Sequence, residues 1–316
     1  MTSGRSHYGV AMMPLTVIPV PAGGAEDVLV DTNGMVYTGT EDGSVFRVHP
    51  EGRPIDQVGQ TGGRPLGLEM LSDGRILVCD AHRGLLALDT DTGNIETLTS
   101  LVNGQRMEFC NNAAVHSCGD IYFSDSSRFY GVDRWKAEMI ENTTSGRVLR
   151  RGSDGDVEVM LDGLRFANGV ALSTDESYVA VAETAGRTVT RQWLTGPRAG
   201  DVDHLAQDLP GYPDNIARGS DGLIWVAIAS PKDPLLERLM TGPMLGRRLA
   251  ARLPATMQPK PKRTARVMAF DDAGAVVHDC LLDASAFHMV TGVREHQGRV
   301  WVGSLHEPAI ARFDLA

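Results

Sequence analysis

Cysteine is scarce in this chain. Its 316 residues include four, Cys79, Cys110, Cys118 and Cys280, and no two of them form a CxxC pair. That argues against a disulfide framework or a thiolate zinc site and fits a reducing compartment. Basic charge is also short: 30 Lys and Arg stand against 40 Asp and Glu, for a net charge of -10. A nucleic-acid partner would need a basic face, so that class is set aside, whereas binding of a cation is compatible. No run of 18 uncharged apolar residues lacks a proline, which speaks against a transmembrane helix. There is no GxSxG elbow and no cysteine in a nucleophile motif, which leaves metal-assisted chemistry as the open route. The opening stretch "MTSGRSHYGVAMMPLTVIPVPAGGA" is mildly apolar, but three prolines interrupt it and its basic start is thin. It reads poorly as a signal peptide. A cytoplasmic protein is expected, with secretion as the alternative.

What the chain does have is a repeat. Hydrophobic residues make up 42% of it, and its 35 glycines, with Asp and Asn, mark turns between short β-rich runs. That pattern favours an all-β fold. Six turns each precede a strand: "DTNGMVYTGT", "LSDGRILVCD", "HSCGDIYFSD", "STDESYVAVAE", "GSDGLIWVAIA" and "EHQGRVWVGS". Their spacings are 40, 45, 57, 46 and 76 residues, and further β segments follow each turn. Units of ~40–50 residues with four strands suit propeller blades. The expected fold is a six-bladed β-propeller, four strands per blade, as a single domain over residues 1–316. The sixth unit has only three strands, so "LTVIPVP", residues 15–21, is expected to complete it and close the ring.

Counting back eight residues from each turn position, Gly34, Gly74, Gly119, Glu176, Gly222 and Gly298, gives Glu26, Leu66, Asn111, Asn168, Asp214 and Val290. These begin the innermost strands, at one mouth of the central channel. Four of the six carry side-chain oxygens and none is Cys or His. Asn and Asp often cap tight turns, which would explain any one of them. Four in one register point instead to a hard cation, Ca2+ before Mg2+, since zinc would normally recruit His nitrogen or Cys sulfur.

The stretches "FCNNAAVHSCGDIYFSDSS", "LRFANGVALSTDESYVAVAET", "WLTGPRAG", "LPGYPDNIA" and "EHQGRVWVGSLHEPAI" resemble the strictosidine synthase-like proteins, including adipocyte plasma membrane-associated proteins. The similarity runs from about Glu26 to Phe313. The wider gluconolactonase–regucalcin–paraoxonase superfamily consists of six-bladed propellers with a channel Ca2+. The resemblance implies that Glu26, Asn111, Asn168 and Asp214 hold that ion, in agreement with the register. The family's usual "ND" is "NN" here, Asn111-Asn112. Val290-Thr291 stand where strictosidine synthases place a catalytic glutamate, so carbon–nitrogen bond formation by that route is not expected. Paraoxonases carry a His where this chain has Ala81, with His82 one residue on. Regucalcin-type lactonases place an Arg where this chain has Phe109, which favours an apolar ester over a polar sugar lactone.

The expected activity is therefore Ca2+-dependent hydrolysis of apolar carboxylic esters or lactones, of arylesterase or lactonase type, with a small-molecule substrate. Asp214 is the candidate base or nucleophile and Asn215 its neighbour at the ion. His82, Glu183 and His306, on loops returning to the same mouth, are candidate proton shuttles. Cys110 should turn away from the channel by strand alternation. The alternative is a non-enzymatic, ligand-binding propeller with a structural Ca2+.

Two insertions, residues 126–146 and 231–265, should cover the metal mouth as a lid. The second spaces Leu245, Leu249 and Leu253 at helical intervals and carries eight Lys/Arg against two acidic residues. Its apolar face is expected to line the pocket. Membrane contact through it is a secondary expectation, behind a solvated cover packed on the rim.

Overall fold

Each turn read from the sequence closes a hairpin. Gly34, Gly74, Gly119, Gly222 and Gly298 all take φ between 80° and 92°, the left-handed region that glycine enters without a Cβ penalty. Glu176 adopts φ 57° at the corresponding place in the fourth unit. Its carboxylate is anchored there by Ser117, whose backbone N–H donates at 2.9 Å and whose hydroxyl donates at 2.5 Å.

The computed structural model describes residues 13–254 and 256–315. Residues 1–12, part of the stretch weighed as a signal peptide, and Ala255 in the second insertion lie outside it. The chain forms a six-bladed β-propeller of four-stranded antiparallel sheets. The innermost strands are Leu29–Val30, Pro65–Met70, Cys110–Val115, Ala167–Leu172, Gly211–Arg218 and Val290–His296. Successive inner strands pack side by side, and the first packs against the sixth, which completes the ring.

In the sixth blade the outermost strand comes from the other end of the chain. Thr16–Pro19 pairs antiparallel with Ala309–Asp314, with Ile18 opposite Ile310. The chain then leaves the sheet with Val20 N–H donating to Pro308 O at 3.0 Å. Apolar clusters fill the spaces between neighbouring blades. One joins Trp225, Ala227 and Val267 of blade five to Val293, Val300 and Val302 of blade six. Cys110 is buried in such a cluster between the second and third blades, beside Leu77, Cys79 and Phe123.

Among the described residues, the α-helices all lie in the two insertions. Trp135–Glu141 lies in the first, Pro234–Met240 and Met244–Ala251 in the second, and all three pack on one another. Asp233 caps the second helix, its carboxylate accepting from the N–H groups of Leu235 and Leu236 at 2.8 and 3.2 Å. No helix among the described residues is long and apolar enough to cross a membrane.

Candidate metal centre and pocket

Five of the six inner strands break their ladder at the same place. The pairing register shifts across Leu66-Gly67, Asn111-Asn112, Asn168-Gly169, Asp214-Asn215 and Thr291-Gly292. A bulge suspends the alternation of a strand, so a residue can face the channel where regular pleating would turn it aside. This is why "PDN" opens a strand although Asp and Asn are poor strand formers. The break also corrects the sixth position. The residue equivalent to Asn168 and Asp214 is Thr291, not Val290, which is buried in the core between blades. The last hairpin turns through two residues, between His296 and Arg299, so the count from Gly298 is one too many.

The even-numbered blades place glycine beside a polar residue of the next blade. A Cβ on Gly67 would lie 2.6 Å from Asn112 Cα, one on Gly169 2.0 Å from Ile216 N and 2.6 Å from Asn215 Cα, and one on Gly292 2.6 Å from Asp27 Cα. The inner strands thus approach backbone to backbone, which narrows the channel around Asp27, Asn112 and Asn215.

Glu26, Asn111, Asn168, Asp214 and Thr291 together form the polar floor of one pocket. Asn111 Nδ2 donates to Ser126 Oγ at 2.9 Å, and Asn168 Nδ2 to Thr184 Oγ1 at 3.1 Å. These hydroxyls sit just past the second strands of their blades, Ile121–Asp125 and Tyr178–Glu183. Each amide nitrogen is held back, and its oxygen is left over. Asn215 Nδ2 donates to Glu26 Oε1 at 3.0 Å. Four buried oxygens at this floor have no partner: Glu26 Oε2, Asn111 Oδ1, Asn168 Oδ1 and Asn215 Oδ1. Stranding even one such group costs ~1–3 kcal/mol, so the cluster has the character of a ligand set for a cation.

The carboxylates report the same deficit. Burial, then repulsion from Asp214 and Asp27, holds Glu26 well above the ordinary carboxylate range. Asp214 is pushed up to about 7 by burial, against a lowering contribution from the Asn168 amide. Asp27 is pushed up to about 6, again by burial, although Arg294 opposes it. The guanidinium of Arg64, donating to Gly24 O at 2.9 Å, opposes the rise of Glu26 only in part. The donor set fits a hard cation. Among the described residues no three His, Cys, Asp or Glu side chains converge as metal ligands. The amide oxygens must therefore complete any shell, as is usual for Ca2+ and foreign to zinc.

Sequence reasoning missed the supports below this floor. Asp27 Oδ2 accepts from Leu68 N–H at 3.0 Å and from Asn112 Nδ2 at 3.4 Å, and Asn112 Oδ1 accepts from Val170 N–H at 2.9 Å. Asn112 thereby links blades one, three and four. The signal was the residue following each channel position, Asp27, Asn112 and Asn215 in the odd-numbered blades.

The expected proton shuttles are elsewhere. Glu183 is buried outside the pocket and accepts from Arg165 N–H at 2.8 Å and Thr190 Oγ1 at 2.5 Å. His82 and His306 are exposed and border an adjoining groove, with Glu41, Arg64 and Asp133, that shares Val132, Trp135 and Leu305 with the pocket. Their loops return to the right end of the propeller, but none of the three side chains reaches the floor.

Above the floor the walls are apolar: Leu66, Phe109, Phe166, Tyr212, Met289 and Leu305 from the blades, with Val132, Met139 and Ile140 from the first insertion. Phe109 and Phe166 pack with ring centroids 5.6 Å apart. Leu236, Pro259, Lys260 and Pro261 of the second insertion also line the pocket.

Residues 25–234 match the family described as the SMP-30/gluconolactonase/LRE-like region. The chain belongs to that family. Among relatives, it is 32% identical to an adipocyte plasma membrane-associated protein of Salmo salar, over 89% of this chain and 73% of the other. It is 33% identical to the protein strictosidine synthase-like 6 of Arabidopsis thaliana, over 90% and 77%. Among solved structures it resembles a gluconolactonase of Xanthomonas campestris, with a TM-score of 0.70, 18% identity and coverage of 96% and 89%. It also resembles a calcium-binding regucalcin of Agrobacterium tumefaciens, with a TM-score of 0.67, 15% identity and coverage of 97% and 96%. At these identities the structural neighbours establish the fold alone. The gluconolactonase-like family admits lactonase-type hydrolysis, and the named relatives differ widely in what they are called.

Proposed function

We propose that this protein is a Ca2+-dependent hydrolase of apolar carboxylic esters or lactones. The observation that carries this reading is the convergence of partnerless buried oxygens with the Asp214 carboxylate at the floor of an apolar pocket. Glu26, Asn111, Asn168 and Asp214 would hold the ion, with Asn215 braced against Glu26. Bound there, Ca2+ supplies a Lewis acid for a carbonyl oxygen. The chain's own residues do the rest. Phe109, Phe166 and Met289 exclude bulk water and seat the apolar part of the substrate. Asp214, half-buried where Glu26 is fully buried, has the more accessible carboxylate. As base it takes a proton from a water whose oxygen adds to the carbonyl carbon, and returns that proton to the alkoxide as the ester C–O bond breaks. Alternatively, as nucleophile it adds to the carbonyl carbon and expels the alkoxide, which takes a proton from water, leaving a mixed anhydride that a second water hydrolyses.

Phe109 in the wall, with Phe166 and Met289, favours an apolar substrate; the cations of the pocket are Lys136 and Lys260, both from the insertions. Thr291, donating from Oγ1 to Glu26 O at 2.8 Å, occupies the blade-six position without a carboxylate, which disfavours amine–aldehyde condensation. The test is a panel of aryl esters and lactones assayed with added Ca2+ and with chelator. Hydrolysis that disappears on chelation and returns with Ca2+ is the expected result. No turnover across the panel, in a protein that Ca2+ still stabilises, would support a ligand-binding propeller with a structural ion.

A further inference from the structure

The second insertion is folded inside out relative to a helix that serves only its own core. In Met244–Ala251 the side chains turned inward are small: Ala251 is buried and packs with the neighbouring Ala250 against Ala137 and Ile140 of the first insertion's helix. The large apolar side chains face away from the protein. Leu245 is 72% exposed, Leu249 58% and Met244 55%, and Leu253, one turn on, is 42%. Met257 is 67% exposed and is drawn to this end by Gln258, whose Nε2 donates to Ala251 O and Leu253 O. Leu235, on the preceding helix, is 61% exposed. Leaving six large apolar residues in water within one 23-residue stretch is costly unless something covers them.

Charge identifies what would cover them. This insertion holds eight of the chain's 30 basic residues and only two of its 40 acidic ones. Arg247 and Arg248 are engaged with Glu141, Lys262 with Asp233 and Arg263 with Glu307. Lys232, Arg238, Arg252 and Lys260 are exposed, and among the described residues they make no ion pair. A leucine face flanked by unpaired cations complements an anionic lipid surface. The rest of the molecule, strongly acidic, would be repelled by the same surface, so the approach is oriented.

We propose that residues 231–265 dock this protein onto anionic membranes, with Leu245 and Leu249 entering the headgroup region and Arg238 and Arg252 meeting lipid phosphates and carboxylates. Leu236 and Lys260 of the same insertion line the pocket. Docking therefore brings the pocket mouth to the lipid boundary, where apolar molecules accumulate. The inference stands on the lid surface alone and does not require the hydrolase reading.

The test is vesicle co-flotation of the full chain, with phosphatidylcholine vesicles and with vesicles that also contain phosphatidylserine. Binding to the anionic vesicles only, weakened by added salt, is expected. Arg238→Gln with Arg252→Gln should weaken it about fivefold per charge, so ~25-fold together. Leu245→Asp with Leu249→Asp should abolish it. All four side chains are exposed, so melting curves should match the unaltered protein and exclude misfolding as the cause. Absence of binding to every vesicle would overturn the proposal. So would binding unaffected by these variants, or loss of a concentration-dependent dimer in the leucine variant without any vesicle binding, which would assign the face to a second copy of the chain.

Discussion

Asn215 and Glu26, 189 positions apart in sequence, meet across the channel with Asn215 Nδ2 donating to Glu26 Oε1 at 3.0 Å. The bond engages one oxygen of Glu26 and the amide nitrogen of Asn215, and leaves Glu26 Oε2 and Asn215 Oδ1 without a partner. A buried carboxylate and three buried amides arranged in this way cost free energy that a cation would recover. Ca2+ should therefore bind the folded state and raise its melting temperature. At a hundredfold excess over Kd the gain is about 2.7 kcal/mol, or ~5 °C at ~2 °C per kcal/mol for a chain of this size. Differential scanning calorimetry with Ca2+ and with chelator measures it, and identical curves would mean that no tight site exists.

The stability of the metal-free protein should depend on pH in a particular direction. Asp214 and Glu26 both titrate above their unfolded values, because burial first, and then repulsion from Asp27 on Asp214 and from Asp214 and Asp27 on Glu26, favours their protonated forms. A raised carboxylate contributes stability fully present below its unfolded pKa, near 4, and lost as pH rises through its folded value, about 7 for Asp214. The chelated protein should melt lower at pH 8 than at pH 5. Ca2+ needs the ionised carboxylates, so the increment it adds should be larger at pH 8. A chelated protein equally stable at both values would contradict this account of the floor.

Two glycine substitutions should act in opposite senses. Gly169→Ala places a Cβ 2.0 Å from Ile216 N and 2.6 Å from Asn215 Cα, both backbone atoms that cannot move without opening the ring. It should cost about 3 kcal/mol or more and weaken Ca2+ binding by displacing Asn168 and Asn215. Gly246 lies in the helix Met244–Ala251 with nothing within 4 Å of its absent Cβ. Gly246→Ala should stabilise that helix by up to ~1 kcal/mol. Chemical denaturation of both variants decides the matter, and a neutral Gly169→Ala would mean that the inner strands are not so closely held.

The amide of Val20, which donates to Pro308 O where the first strand leaves blade six, should be among the protected amides in hydrogen exchange. Rapid exchange there would show that Thr16–Pro19 does not hold the ring shut in solution.

Much of this architecture was legible because a propeller repeats. The turn spacing gave the blades, and one count brought Glu26, Asn111, Asn168 and Asp214 into a common register because each hairpin spends about the same number of residues on its turn. The count slipped at Val290, where the turn is shorter and Thr291 takes the place. His82, Glu183 and His306 show a different limit. Sequence assigns a side chain to a loop and a loop to one end of the ring, but its direction depends on tertiary bonds such as that from Thr190 to Glu183. The insertion is the sharpest case. The interval of Leu245, Leu249 and Leu253 establishes a face, and periodicity is silent about whether that face looks in or out. Here alanines occupy the inner side and the leucines look out.

The roles of the two channel carboxylates can be separated by kinetics. Asp214→Asn and Glu26→Gln each remove one negative charge from the floor while keeping an oxygen of similar shape. Both should weaken Ca2+, because each replaces an anionic donor with a neutral one, and both should refill when the ion is raised to saturation. What returns with it should differ. Glu26 is fully buried and braced by Asn215, with Thr291 Oγ1 donating to its backbone carbonyl. With one oxygen held by Asn215 and the other given to the ion, it has none left for proton transfer, so Glu26→Gln should recover its rate once the ion is restored. Asp214 is the less buried of the two and lies beneath the pocket walls. An amide there can neither accept a proton nor attack, so Asp214→Asn should stay ~10²–10⁴-fold slow in kcat at saturating Ca2+. The measurement is ester hydrolysis as a function of Ca2+ concentration for both variants, with binding of the ion followed independently by calorimetry. Full recovery of both would reduce Asp214 to a ligand and return the search for the base to groups near the mouth, His82 and His306 among them.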